Sequence, residues 1–571
     1  MKKPKTVELT TPYEEDLQAG AVPFSSYPRP QMKRNSYLCL NGEWDFSVFR
    51  EGKELYRGRI TVPFPPESRL SGVQMSIGKK DLLVYERDFV FDGKTDGGRL
   101  LLHIGACDQT AHVFVNGRSV GGHIGGYLPF TPDITEAVKV GTNRLRIEAS
   151  DPMDITLPYG KQTDKRGGMW YTKISGIWQT VWLERVPNTY IHSIRITPDL
   201  HGIDLTVTGG EEEKRLLFDG REYRFHGDTF RLDVENPILW TPEHPHLYPF
   251  ALVCGEDRIE SYFALRTVST VEKDGKTLLT LNGKPFFFHG LLDQGYFSDG
   301  IFLPASPRGF EEDILRMKAC GFNTLRKHIK LEPSLFYHLC DKHGMLVFQD
   351  MINSGRYSFL LDTALPTVFL KKGISHRASP ARRKAFEDTC RGIVEQVYNH
   401  PSVVYYTVFN EGWGQYEAKA WYKRMKELDP TRICDTVSGW FKTDATDVES
   451  DHVYFKPVRL KAVKGRASVL SEFGGYAYME SGHVFCPDKP YGYRFFSDRK
   501  AWQEAICALY EKEILPAVDN GLCGAVLTQL SDVEDETNGL LSYDRRVLKV
   551  DCERMKQIAD ALSDRFEKAW N

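Results

Sequence analysis

The sequence predicts a multidomain chain: an N-terminal β-sandwich of jelly-roll type, a smaller immunoglobulin-like β-sandwich, and a C-terminal TIM (β/α)8 barrel. Three observations carry this. Up to about residue 187, short segments that alternate apolar and polar residues (LLLHIGA, AHVFVNG, NRLRIEAS) are cut by Asn41-Gly42, Asn116-Gly117, Gly121-Gly122 and Gly141-Thr142-Asn143. That is the period and punctuation of strands buried on one face. From 188 to 270 the same pattern continues for a few strands only (YIHSIRITPDL, GIDLTVTGG, PHLYPFALVC), a length suited to a small immunoglobulin-like sandwich. From 271 to 571 helical patterns alternate with short apolar runs, which predicts βα units around a parallel sheet.

Within the first stretch, Gly160-Lys161-Gln162, Gly167 to Thr172 and Ser175 to Gln179 form a Gly- and Trp-rich segment. Trp170 and Trp178 are read there as core residues before substrate contacts, because buried Trp is common in sandwiches. The barrel strands are expected at 286–289, 322–326, 345–349, 403–409, 432–437, 451–455, 468–470 and 523–529. Helices are expected at 310–319, 382–398, 416–428, 498–515 and 548–570. The segment 353–380 fits neither pattern. A connection that long in a barrel is usually functional, so it is expected to form a lid or pocket wall presenting Arg356 and Tyr357.

Composition narrows the function classes. The formal charge of -3 on 571 residues, with both signs mixed throughout, points to no nucleic-acid surface and no acidic lipid face. No run approaches the ~18 apolar residues of a membrane span, and the first residues lack the apolar core of a secretory signal. The 11 scattered Cys form no CxxC pair, so reduced thiols in a cytoplasmic protein are expected, with no metal and no cofactor. Ten Trp and 27 Tyr mildly favour a carbohydrate partner. Association with further copies of the chain stays open.

The chemistry centres on Val403 to Gly414, VVYYTVFNEGWG. A run of this kind reads as a strand buried on both faces, and it delivers Asn410 and Glu411 to its C-terminal end, where barrels place their reactive groups. The seventh strand ends in Ser471-Glu472-Phe473-Gly474, again a carboxylate after an apolar run. Strands four and seven lie across the barrel, so Glu411 and Glu472 can face one another. Two facing carboxylates suit glycoside hydrolysis: one protonates the leaving oxygen and the other attacks the anomeric carbon or activates water. Asn410 could bind the sugar 2-hydroxyl, and Trp413 could form a pocket wall.

The motifs YPRPQ, LNGEWDF, VYERDF, FVNG, SGIWQTVWLE, LNGKPFFFHG, GFNTLRKH, NEGWG and SEFGG follow one another in an order that resembles glycoside hydrolase family 2, the β-galactosidases, β-glucuronidases and β-mannosidases. The resemblance covers nearly the whole chain. It implies Glu411 as acid/base, Glu472 as nucleophile, Asn410 as 2-hydroxyl ligand, His452 and Tyr454 as residues lining the site, and Arg326 as an arginine favouring the ionised nucleophile. There are departures. The first strand runs FFFHGLLDQG, without the acid and histidine that support a magnesium site in typical β-galactosidases, so Asp293 is either a ligand there or a loop cap. The stretch after the eighth strand lacks the Asn-x-Lys of β-glucuronidases, and Thr528-Gln529-Leu530 stands where many members close the strand with Trp, which leaves Trp440 as a stacking candidate. The expectation is a retaining exo-β-glycosidase, β-galactosidase-like in its sugar. The alternatives are the same mechanism on a β-mannoside, β-glucuronide or arabinoside, or a non-catalytic carbohydrate-binding protein.

Overall fold

The computed structural model describes residues 5–17, 20–93, 97–358, 362, 376–460 and 462–570. Most of the lid expected over 353–380 therefore lies outside the described residues.

The first sandwich pairs a six-stranded antiparallel sheet with a three-stranded one. The larger sheet runs in the order Lys53–Val62, Gly42–Arg50, Asp81–Phe91, Gly141–Ser150, Thr110–Val115, Arg118–Ile124. The smaller holds Tyr37–Cys39, Val181–Val186 and Arg99–Ile104. Alternation along Gly141–Ser150 turns Leu145, Ile147 and Ala149 inward, where they meet Trp44, Phe46, Tyr85, Leu102 and Leu183 in one core. The second sandwich holds three strands against four, with Ile194, Leu205, Leu216, Leu252 and Phe263 between them, a strand count that suits an immunoglobulin-like unit.

The barrel sheet comprises β1 (Phe288–Asp293), β2 (Thr324–Lys327), β3 (Leu346–Asp350), β4 (Val403–Asn410), β5 (Ile433–Ser438), β6 (Val448–Val453), β7 (Ala467–Gly474) and β8 (Leu522–Thr528). All pair in parallel in the order β5-β4-β3-β2-β1-β8-β7-β6. The β5 and β6 edges approach through Ser450 Oγ, which donates to Asp435 at 3.0 Å and to the Val437 carbonyl at 3.3 Å, so the sheet wraps nearly closed. Every residue of β4 and β7 is buried, as strands covered on both faces require.

Around them lie α1 (Arg308–Ala319), α2 (Ser334–His343), α3 (Pro380–Val397), α4 (Ala418–Leu428), α5 (Arg499–Leu509) and α6 (Cys552–Trp570). α3 starts on Ser379, whose side chain caps the Arg382 N–H, with Pro380 in the first turn. α2 was not expected. It is short, and its left-handed Gly344 terminates it directly before β3. β6 lies three residues before its expected start, because its burial alternates and it lacks the apolar run that marks the other strands. The start of β4 is anchored from outside the barrel: Arg266 donates to the carbonyls of Pro401 and Val403, both at 2.8 Å.

Among the described residues no helix is long and apolar enough to cross a membrane. The cysteines are free thiols, and nine of them are buried.

Candidate active site

Asn410 closes β4 and Glu411 follows it with a φ of 52°, a left-handed conformation that a non-glycine residue adopts at a cost of about 1–3 kcal/mol. Its N–H donates to the Ser438 carbonyl at 2.9 Å, and Gly412 continues the turn where a Cβ would strike the Phe441 ring. The backbone is thereby bent so that the Glu411 carboxyl faces across the barrel. Glu472 arrives from β7. One ligand atom each from Glu411, His452 and Glu472 lie within 4.8 Å of one another, so the two carboxylates are close neighbours.

His452, from β6, stands between them. Its Nδ1 is 2.8 Å from Glu411 Oε1, and its Nε2 is 3.1 Å from Ser438 Oγ and 3.5 Å from Glu472 Oε1. Burial brings its pKa down to about 4, so the ring is neutral around pH 7. Arg326, fully buried on β2, is shared by four groups. It donates to Asp350 at 3.0 Å, to Glu472 at 3.0 Å, to the Ser471 carbonyl at 3.0 Å and to Asn410 Oδ1 at 2.8 Å. Burial opposes its charge, but Asp350 and Glu472 outweigh burial and push its pKa up. Tyr454 donates to Glu472 Oε2 and lies 2.9 Å from Thr528 Oγ1, with its ring stacked on Tyr493 at 4.0 Å.

Glu472 thus accepts from a guanidinium and a phenol, contacts a carboxylate makes in its ionised form. Glu411 differs: burial raises its pKa, and the nearby charges of Lys161, His328 and Arg326 only partly oppose this. The two carboxyl groups thus sit in different surroundings, Glu411 in one where burial favours its proton and Glu472 against a cation and a phenol, a division that suits an acid and a nucleophile working side by side. Asn410 spends its oxygen on Arg326, and its Nδ2 has no acceptor among the described residues. Glu411, His452 and Glu472 could also hold a cation, although Arg326 already supplies positive charge beside Glu472.

Among the expected site residues, Glu411, Glu472, Asn410, Arg326, His452 and Tyr454 therefore converge. Trp440 packs edge-on against His452 at 5.5 Å. Trp413 is 2 % exposed and sits in a seam with Tyr159 and Trp170, its Nε1 donating to the Gly355 carbonyl at 2.9 Å. Asp293 accepts from Lys327 at 2.8 Å and from the Gly295 N–H at 2.8 Å, as a loop-capping aspartate does. Trp178 is core, as expected. Trp170 is only half-buried and turns toward the barrel, against Tyr357 and Trp413. Asp350, which orients both Arg326 and His328, carries no signal in the sequence, nor do Ser438 and Tyr493, and Thr528 stands out there only as a departure from Trp. Each belongs to a strand end or loop, and only the barrel register shows that it faces inward. A separate cavity of about 500 Å³ lies where both sandwiches meet the barrel, lined by Arg29, Trp182, His192 and Gln396. It contains neither Glu411 nor Glu472.

Residues 271–466 match the model described as glycosyl hydrolases family 2, TIM barrel domain, and residues 76–187 match glycosyl hydrolases family 2, sugar binding domain. A β-galactosidase of Thermoanaerobacter pseudethanolicus is 23% identical over 473 residues, covering 73% of this chain and 59% of that protein. A β-glucuronidase of Pongo abelii is 28% identical over 390 residues, covering 60% of this chain and 56% of that one. The chain thus spans little more than half the length of these relatives. The structure of a β-galacturonidase from Eisenbergiella tayi bound to galacturonate superposes with a TM-score of 0.69 at 20% identity, covering 94% of this chain and 99% of that one.

Proposed function

Because the chain belongs to glycosyl hydrolase family 2, we propose that it is a retaining exo-β-glycosidase working through a covalent glycosyl-enzyme. The observation that carries this reading is the approach of the Glu411 and Glu472 carboxylates to within 4.8 Å. Retaining enzymes hold their carboxyl groups about 5–5.5 Å apart, whereas inverting ones leave about 6.5–9.5 Å for a water. Glu472 attacks the anomeric carbon while Glu411 gives its proton to the glycosidic oxygen, so that the C1–O bond breaks and the sugar is esterified to Glu472. Glu411, now a carboxylate, takes a proton from water, and the water oxygen displaces Glu472 from C1. Arg326 and Tyr454 hold the nucleophile, and Asn410 Nδ2 is the donor for the 2-hydroxyl, a contact that strengthens in the transition state.

On the sugar, relatives named β-glucuronidase outweigh those named β-galactosidase. This favours a uronide over the galactoside expected from sequence, although the Asn-x-Lys element is missing.

The test is the stereochemistry of azide rescue. In Glu472→Ala, turnover of an aryl β-glycoside falls by orders of magnitude and azide restores it, attacking from the vacated face to give the α-glycosyl azide. Glu411→Ala gives the β-azide from the glycosyl-enzyme. The same anomer from both variants, or an undiminished rate in Glu472→Ala, overturns the assignment.

A further inference from the structure

The segment Tyr159-Gly160-Lys161 belongs to the first sandwich yet lies against the barrel. The Tyr159 and Gly160 N–H groups donate to the Asn353 carbonyl at 3.1 and 3.3 Å, and Tyr159 Oη donates to the Gly355 carbonyl at 2.9 Å. Gly160 has a φ of 66°, and a Cβ there would come within 2.7 Å of the Ile329 carbonyl, so only glycine lets the segment press this closely. The next residue is Lys161, 8 % exposed, with its carbonyl held by the Tyr171 N–H at 3.0 Å.

Its ammonium forms no hydrogen bond and no ion pair among the described residues. Its nearest partner is the Trp170 ring, 5.5 Å away, a cation–π face. Three other cations near the mouth are committed: Arg326 to Glu472 and Asp350, Arg166 to Asp535, Arg382 to backbone carbonyls. Lys161 is within electrostatic reach of Glu411, His328 and Glu536, which places its charge over the pocket. The side chain is mostly buried while its ammonium is left without a counter-charge among the described residues, so the group is available to one that arrives with the substrate.

We propose that Lys161, supplied by the sandwich, is the residue that recognises a carboxylate at C5 of the terminal sugar, and that the enzyme is selective for β-uronides through it. The inference rests on the glycosidase reading above. With the 2-hydroxyl at Asn410 on β4, C5 and its substituent lie on the opposite edge of the pyranose ring, and the proposal sets that edge beside Lys161, which acts electrostatically on Glu411 and on Glu536 of the loop after β8. A uronic acid differs from its hexose only there, by a charge of -1.

Kinetics with 4-nitrophenyl β-glucuronide, β-galacturonide, β-galactoside and β-glucoside, on wild type, Lys161→Met and Lys161→Arg, test this. Wild type should prefer a uronide over its matched hexoside. Lys161→Met should cut that ratio of kcat/KM by about 100-fold, chiefly through KM, as expected for loss of one buried charge pair, and Lys161→Arg should restore part of it. An equal loss on charged and neutral substrates overturns the proposal, as does an unchanged ratio. So does a preference that follows a carboxylate placed on the aglycone of a galactoside. Wild type that hydrolyses only neutral glycosides overturns the proposal and leaves the retaining mechanism standing. Wild type that binds free glucuronate or galacturonate in calorimetry, dependent on Lys161, yet hydrolyses no aryl glycoside, supports the proposal and overturns the glycosidase reading. Neither binding nor turnover overturns both.

Discussion

Of two acidic clusters buried among the described residues, one in the sandwich and one in the barrel mouth, the second keeps more of its hydrogen-bonding capacity unspent. In the sandwich, Lys173 pairs with Asp151 at 2.9 Å and Asp164 at 3.4 Å, Ser175 Oγ and the Met153 N–H also donate to Asp151, and Gln162 donates to Asp108. The cluster is nearly saturated from within. In the mouth, Arg326 and Tyr454 satisfy Glu472, but Glu411 has His452 alone, Asn410 keeps a donor and Lys161 has no counter-charge among the described residues. Burial of charge is therefore a poor marker of a site. Hydrogen-bonding capacity left over after the protein has satisfied itself is a better one.

The contrast can be broken or sharpened by mutation. The largest expected effect is at the acid: Glu411→Gln should lower kcat/KM by about 10²–10⁴-fold for alkyl glycosides, whose leaving group needs a proton. Dinitrophenyl glycosides, which leave unaided, should be affected far less, and the comparison of the two leaving groups is the measurement. Next, Lys173→Met leaves Asp151 buried without its cation and should destabilise the fold by about 3–5 kcal/mol in denaturant titration. Lys161→Met, which strands no partner, should not. If both lysines cost the same stability, the distinction between a closed and an open cluster fails.

The smallest effect concerns Glu67. One of its carboxyl oxygens is buried without a partner, and burial raises its pKa to about 8. A carboxyl whose folded pKa lies above its unfolded value contributes stability below the unfolded pKa, and that stability is lost as pH rises through the folded one. Between about 4.5 and about 8 the melting temperature should therefore decline, and Glu67→Gln should flatten that decline. A slope unchanged in the variant would assign it to other carboxyls.

What could be read from sequence follows from what is locally encoded. Glu411 and Glu472 stood out because each ends an apolar run, and strand polarity sends such ends to one mouth. β1, expected at 286–289, runs Phe288–Asp293, and the shift reflects a strand whose inward positions include Gly290. Asp350 and His328 gave no such signal, since a polar residue after a strand is ordinary until register shows it aimed at Arg326. Lys161 was least legible. It is one lysine in a Gly-rich loop, and the role proposed for it depends on a contact between units that no local pattern records.

The hydrogen bonds from Tyr159 and Gly160 to Asn353 join the piece of chain that carries Lys161 to the piece that carries the acids. On the proposed reading, bond cleavage and choice of sugar are written in separate stretches of sequence. A lineage of such enzymes could change what it consumes by substitutions in a sandwich loop and leave the apparatus of hydrolysis untouched, provided the residue at 160 remains small enough to keep the two pieces in touch.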